Sequence, residues 1–152
     1  MKIRPARPAD LVEVLVLLAD ARLPAAGVAE HFDAFLVAEE GGRLIGAIGV
    51  ERYAPHGLLR SAVVAPDRRG RGVGDALVSA LVARSRTEAL EELWLLTETA
   101  QGWFERRGFV GRDRSQAPAS LRESEEFRGA CPESAACLVL RLEDQAERPR
   151  PD

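Results

Sequence analysis

The chain contains the stretch Val63-Val64-Ala65-Pro66-Asp67-Arg68-Arg69-Gly70-Arg71-Gly72-Val73-Gly74-Asp75-Ala76-Leu77, which predicts a strand, a glycine-rich turn and the start of an amphipathic helix. Alternating glycines expose backbone N–H groups, and the first turn of a helix adds the positive end of its dipole. Three arginines bring positive charge to the same turn. The stretch therefore predicts a binding site for a phosphate group.

Two familiar phosphate-binding loops do not fit this stretch. A Walker loop needs Lys and then Ser or Thr after its last glycine, where this chain has Asp75 and Ala76. A dinucleotide fingerprint, G-x-G-x-x-G, would need a glycine at the position of Asp75. The spacing that does fit is Arg69-x-x-Gly72-x-Gly74.

This spacing resembles the pyrophosphate loop of the GNAT acetyltransferases, whose chemistry needs acetyl-CoA as co-substrate and no metal. A second segment, Ala100-Gln101-Gly102-Trp103-Phe104-Glu105-Arg106-Arg107-Gly108-Phe109, is similar to the family's A-x-x-[FL]-Y-x-x-x-G-F helix. The resemblance extends from about Ile3 to Leu142. It implies that the cofactor is bound by Ala62, Val63, Val64, Arg69, Gly70, Arg71, Gly72, Val73, Gly74, Asp75 and Phe104.

Helical and strand patterns alternate along the chain, which predicts an α/β fold. The resemblance implies a mixed, mostly antiparallel central sheet flanked by helices, with a splayed pair of strands that forms the acetyl-CoA cleft. We expect one domain over residues 1–142 and a disordered charged tail over 143–152. The expected local features include a helix capped by Asp10 and Glu13, a short helix Val28–Phe32, a hairpin turn Glu40–Arg43, a helix Gly72–Arg86, a strand Phe109–Arg114 and a short helix Ala119–Phe127.

Composition narrows the classes of partner. The 152 residues are 46% hydrophobic and 30% charged, with a net charge of −3, which fits one ordinary domain and not a nucleic-acid-binding protein. No apolar run approaches a membrane span, and the N-terminus lacks the apolar stretch of a signal peptide. We therefore expect a cytoplasmic protein whose partner is a small-molecule amine, and exposed strand edges allow a homodimer.

Acetyl transfer needs a polarised thioester carbonyl and an amine that has lost its proton. The backbone N–H of Val64 is the expected donor to the carbonyl. The family's usual acid, a tyrosine, is replaced by Phe104, which has no proton to donate. Water or another group could serve instead, since a thiolate is a tolerable leaving group.

Glu51, at the end of a strand beside the cofactor strand, is the favoured general base. The alternative is a solvated glutamate without a catalytic role, and Tyr53 and His56 are other candidates for the base. His31, Tyr53, Arg60 and Ser61 are expected at the acceptor end of the site. Arg60 interrupts an apolar strand, so it needs an anionic partner, either Glu51 or an anionic group of the substrate.

Several segments resemble a narrower branch of the family, the small acetyltransferases associated with arsenic-resistance operons. The segments are Glu30-His31-Phe32-x-x-Phe35-Leu36-Val37-Ala38-Glu39, Leu58-Leu59-Arg60-Ser61, Leu95-Leu96-Thr97-x-Thr99-Ala100 and Cys131-Pro132-x-Ser134-Ala135. This branch implies acetylation of an anionic, amino-acid-like substrate such as an arsenic-containing glutamate mimic. Cys131 and Cys137 could pair, bind a soft ion or simply pack in the core.

Two other functions remain open at this point. Phe104 in place of tyrosine favours a non-catalytic acetyl-CoA-binding module. A wide acidic groove would instead favour a protein N-acetyltransferase.

Overall fold

Apolar strand segments form one mixed sheet in the computed structural model, which describes residues 1–142. The strand order is β1-β2-β3-β4-β5-β7-β6, and every neighbouring pair is antiparallel except β4 and β5. The predicted mostly antiparallel sheet is thus confirmed. The strands are β1 (Lys2–Pro5), β2 (Phe35–Glu40), β3 (Arg43–Tyr53), β4 (His56–Val64), β5 (Glu92–Thr97), β6 (Val110–Arg112) and β7 (Ala136–Arg141).

Helices cover both faces of the sheet. Neighbouring residues of a strand point to opposite faces, so Ile45 of β3 packs in the cluster that contains Leu77, whereas Leu44 packs with Val14. The α-helices are α1 (Leu11–Asp20), α2 (Val73–Thr87), α3 (Gln101–Glu105) and α4 (Ala119–Arg122). Short 3-10 turns lie at Pro8–Asp10, Phe32–Ala34, Pro66–Arg68 and Arg114–Gln116, and a π-helical turn lies at Glu126–Ala130.

The sheet opens between β4 and β5. Their parallel pairing covers only three residues of each strand, from His56 opposite Glu92 to Leu58 opposite Trp94. Beyond Leu58, β4 carries one more residue than β3, and Ser61 in this bulge has a φ of 59°. A bulge bends its strand. The expected splayed pair of strands is therefore present.

The predicted helix Val28–Phe32 is wrong. Residues 25–31 form irregular turns, and a 3-10 turn follows at Phe32–Ala34. The carbonyl of Pro24 accepts a hydrogen bond from Arg60, and Val28 is fully buried. These tertiary contacts fix the segment, and local helix propensity does not decide its shape.

Three further local predictions need correction. Asp10 does not cap α1, because its carboxylate accepts hydrogen bonds from the N–H of Arg7 and the guanidinium of Arg4. The predicted helix Ala119–Phe127 ends at Arg122 and is followed by the π-helical turn. The predicted strand Phe109–Arg114 is shortened to β6. The tail predicted at 143–152 lies outside the described residues.

Candidate active site

A cleft of about 830 Å³ lies where β4 and β5 separate. This volume suits a small-molecule cofactor. Of the residues predicted to bind the cofactor, only Arg71 does not line it; that side chain is exposed elsewhere on the loop. The lining includes Ala62, Val63, Val64, Arg69, Gly70, Gly72, Val73, Gly74, Asp75 and Phe104.

The glycine-rich turn forms one end of the cleft. Gly70 and Gly72 have φ values of 78° and 83°, in the left-handed region that only glycine adopts without strain. A Cβ at either position would meet open space, so backbone conformation is what requires glycine there. Because α2 begins at Val73, its first free N–H groups lie at this end of the cleft, where they can bind a phosphate.

Aromatic side chains line the cleft near α3. Phe104 is buried and packs edge-on against Phe109, with their ring centroids 5.3 Å apart. Trp103 contacts the first turn of α2, where a Cβ on Gly74 would lie 3.1 Å from its indole ring. Phe104 lines the cleft as expected, but its ring has no proton to give to a departing thiolate.

A buried ion pair lies at the other end of the cleft. The Arg60 Nη1 atom is 2.7 Å from Oε2 of Glu51, and both residues are 2% exposed. Arg60 also donates hydrogen bonds to the Ser61 hydroxyl and to the carbonyl of Pro24, each at 3.1 Å. Arg60 itself lines the cleft. The expectation that this central arginine needs an anionic partner is confirmed, with Glu51 as the partner.

Two further polar side chains, those of Tyr53 and His31, lie beside Glu51. The Tyr53 hydroxyl donates a hydrogen bond to Oε1 of Glu51, and Nε2 of His31 lies 3.4 Å from the same oxygen. Burial, with the hydrogen bond to Glu51, raises the pKa of Tyr53, so its hydroxyl remains protonated and continues to donate. The residues predicted for the acceptor end therefore come together around Glu51 and Arg60, and of this cluster Arg60 is the member that lines the cleft.

Glu126 belongs to the same cluster and was not predicted. It is 4% exposed, and its Oε2 atom lies 3.7 Å from Nε of Arg60. No hydrogen bond from residues 1–142 reaches its carboxylate. Burial raises its pKa to about 7, although Arg60 acts in the opposite direction. In the sequence, Glu126 stands in the charged run Glu123-Ser124-Glu125-Glu126, where nothing marks it as the buried residue.

Three other candidate residues, His56, Cys131 and Cys137, do not line the cleft. His56 lies at the start of β4, where its Nδ1 atom is 2.7 Å from Oε1 of Glu92. Cys131 and Cys137 are free and buried, and burial raises their pKa values to about 12 and about 11. Both thiols therefore stay protonated at neutral pH, as expected for packed core residues.

Two kinds of feature are absent from the described part of the chain. Among residues 1–142, no group of three or more His, Cys, Asp or Glu side chains could hold a metal ion. Within the same range, no helix has the length and apolar character that crossing a membrane requires.

The fold and cleft define a class of protein: an α/β protein whose sheet splits to form a cofactor-sized cleft, with a glycine-rich loop at the start of a helix. The family profile of the acetyltransferase (GNAT) domain matches residues 31–111, more than half of the chain. The chain therefore belongs to the GNAT family of acetyltransferases. The predicted membership of the GNAT acetyltransferase family is thus confirmed.

Curated relatives are similar in sequence to part of this chain. The amino-acid acetyltransferase of Ralstonia nicotianae is 34% identical over 91 residues, which cover 59% of this chain and 20% of that protein. The amino-acid acetyltransferase of Ectopseudomonas mendocina is 32% identical over 92 residues, or 59% and 21% of the two chains. The matches thus span about a fifth of the length of these curated relatives.

Solved structures share the fold. The N-acetylglutamate synthase of Neisseria gonorrhoeae, complexed with coenzyme A and N-acetyl-glutamate, has a TM-score of 0.81 and 23% identity, and the match covers 93% of this chain and 35% of that one. Rv2747 of Mycobacterium tuberculosis, complexed with CoA and NLQ, has a TM-score of 0.77 and 21% identity over 93% of this chain and 99% of that one. At these identities the likeness establishes the fold.

Proposed function

We propose that this chain transfers the acetyl group of acetyl-CoA to the amine of a small, anionic, amino-acid-like substrate. The observation that carries the proposal is Arg60, a cleft-lining residue of β4 whose buried guanidinium lies among the residues predicted for the acceptor end. The names of the curated relatives, amino-acid acetyltransferases, support the same substrate class.

Arg60 suits an anionic acceptor because of where its positive charge is held. Its contacts with Glu51, Ser61 and Pro24 hold the guanidinium in one orientation before any substrate arrives. A substrate carboxylate or oxyanion beside Arg60 would gain a charge-assisted hydrogen bond in a site shielded from water. Because the side chain is already ordered, little conformational entropy is lost on binding.

The reaction requires three contributions from the chain. The backbone N–H of Val64, on the cleft wall, would polarise the thioester carbonyl. Glu51 would accept the proton of the amine, directly or through water, and His31 and Tyr53 would help form the acceptor site. The cleft holds the two reactants in line, and the CoA thiolate leaves with water as the proton source, since Phe104 has no proton to donate.

A narrower assignment rests on sequence resemblance alone. The segments around His31, Arg60, Thr97 and Cys131 favour the branch associated with arsenic-resistance operons, and hence detoxification of an arsenic-containing glutamate mimic. A cytoplasmic location and a homodimer belong to this proposal. Gel filtration coupled to light scattering measures the oligomeric state directly.

A non-catalytic acetyl-CoA-binding module is the second candidate function. One observation favours it: Phe104 lines the cleft at the position where the family's pattern has a tyrosine. Such a module would bind acetyl-CoA and release no thiol with any amine.

The test is release of CoA thiol from acetyl-CoA in the presence of a panel of amines. The panel includes glutamate, its phosphinate and arsonate analogues, peptides and polyamines. We expect turnover with the anionic amino acids and at least a tenfold loss of kcat/KM in Arg60→Gln and Glu51→Gln, with acetyl-CoA binding retained. Preference for peptides would favour a protein acetyltransferase, and CoA binding without turnover would favour the module.

A further inference from the structure

The three arginines of the phosphate loop differ in whether a carboxylate is bound to them and in whether they line the cleft. Arg68 lines the cleft, but it is paired with Glu40 at 3.0 Å and with Asp67 at 2.8 Å. Arg71 is exposed and does not line the cleft. Arg69 lines the cleft, and its Nε atom donates to the Val64 carbonyl at 3.2 Å. The loop itself therefore offers one arginine to the cleft that no carboxylate neutralises.

Another arginine, Arg107, reaches the same end of the cleft from the opposite wall. It follows α3 and lines the cleft together with Trp103, Gly74 and Asp75. Its guanidinium carbon lies 3.4 Å from the centroid of the Trp103 ring, and its Nη1 atom donates to the Trp103 carbonyl at 2.7 Å. Stacking and hydrogen bonding together hold the guanidinium in one orientation.

Asp75 is the third member of this arrangement. Its Oδ1 atom is 2.5 Å from Nε of Arg107, and this contact lowers the pKa of the Asp75 carboxyl. Asp75 lies in the first turn of α2, at the place where the loop would hold phosphate. A lone carboxylate there would repel phosphate, so Arg107 removes an unfavourable charge from the site. Within residues 1–142, the Nη2 group of Arg107 donates to no atom and is left to bind an anion.

We propose that Arg107 binds a phosphate group of the cofactor, with Asp75 and Trp103 as the residues that position its guanidinium. The proposal rests on the proposed function in one respect only, that CoA occupies the cleft. The pyrophosphate and the 3′-phosphate of CoA share the chemistry that a guanidinium recognises. Arg107 would add to Arg69 a second guanidinium that faces the cofactor, from the opposite wall of the cleft.

The test compares CoA binding by calorimetry in three variants, each checked for an unchanged Tm without ligand. We expect Arg107→Gln to weaken CoA binding roughly tenfold or more, as for other hydrogen bonds to charged groups. Asp75→Asn should weaken CoA binding clearly less than Arg107→Gln does, because asparagine keeps a hydrogen-bond acceptor for Arg107 and removes a negative charge from the site. Arg106→Gln, an exposed neighbour outside the cleft, is the matched control.

Comparison of Arg107→Gln with Asp75→Asn distinguishes phosphate binding by Arg107 from a purely structural link between α2 and α3. If the Asp75–Arg107 pair only joined the two helices, both variants would weaken CoA binding by a similar factor, and the proposal would be overturned. Unchanged CoA binding in Arg107→Gln would overturn it as well. Repeating the titrations with 3′-dephospho-CoA identifies the phosphate: an equal loss for both ligands indicates the pyrophosphate, and a loss seen only with CoA indicates the 3′-phosphate. All readouts are binding constants, so an inactive protein still gives an answer.

Discussion

The buried carboxylate of Glu126 makes the stability of this protein depend on pH. Burial raises the pKa of Glu126, Arg60 opposes this, and Glu51 adds a smaller increase, so that the pKa rises from 4.5 to about 7. The charge of Glu126 in turn raises the pKa of the neighbouring Cys131 thiol, in addition to the larger effect of burial. The native state therefore keeps a proton that the unfolded chain releases near pH 4.5. This contribution to stability is present below pH 4.5 and is lost as the pH rises through about 7.

The Glu126→Gln variant measures that contribution. The pKa difference corresponds to at most about 3 kcal/mol. We expect the variant to gain up to this amount relative to the unaltered protein between pH 4.5 and 8, since glutamine has no proton to lose. Urea denaturation at several pH values gives the two stability curves, and Glu125→Gln, an exposed neighbour, is the control. Parallel curves for Glu126→Gln and the unaltered protein would contradict the prediction.

Gly27 lies against the buried ion pair and should not tolerate a side chain. Its φ is 83°, and a Cβ there would lie 2.9 Å from Nη1 of Arg60 and 3.4 Å from Oε2 of Glu51. We expect Gly27→Ala to lower the free energy of unfolding by roughly 2–4 kcal/mol, from backbone strain and from displacement of the ion pair. Gly42→Ala separates the two causes, because Gly42 has a φ of 79° with open space around it. Equal losses in the two variants would show that strain alone acts.

At the scale of the elements, close packing of β2 against β3 depends on a glycine. A Cβ on Gly49 would lie 2.3 Å from the ring of Phe35, which is fully buried. We expect Gly49→Ala to cost roughly 2–3 kcal/mol, since overpacking a filled core displaces its side chains. Gly111→Ala in β6, where a Cβ meets nothing, should be neutral or slightly stabilising. Chemical denaturation of both variants checks this, and a stable Gly49→Ala protein would mean that Phe35 can move aside.

Elements with strong local signals were predictable from the sequence, and those fixed by tertiary contacts were not. The glycine turn and the start of α2 are encoded within one short stretch, so nearly all of the predicted cofactor residues do line the cleft. The segment 25–31 takes its shape from buried Val28 and from Arg60, which is distant in sequence. Glu126 was missed for the same reason, because only the folded chain brings it near Arg60.

Trp103 and Arg107 could have been found. They stand four residues apart, a spacing that brings side chains together on one face of a helix. Their link to Asp75 needs the two walls of the cleft to meet, which local pattern does not reveal. Sequence therefore predicts contacts within an element better than contacts between elements.

At the scale of the whole molecule, three residue pairs join β4 to β5, and the cofactor cleft opens beyond them. A ligand that contacts both walls should hold the two parts of the sheet together. CoA at 100 times its Kd adds about 2.7 kcal/mol of stability, which corresponds to a Tm increase of several degrees. Thermal unfolding with increasing CoA should follow this dependence.

Two arginine variants relate the Tm increase to particular contacts with the cofactor. Arg69→Gln changes a residue that lines the cleft, whereas Arg71→Gln changes an exposed residue outside it. At one fixed CoA concentration, we expect the smaller Tm increase in Arg69→Gln, because its Kd rises and the ratio of ligand to Kd falls. The sequence pattern by itself predicts that both arginines bind the cofactor. Equal increases in the two variants would therefore favour the pattern, and would mean that the loop brings Arg71 to the cofactor when CoA binds.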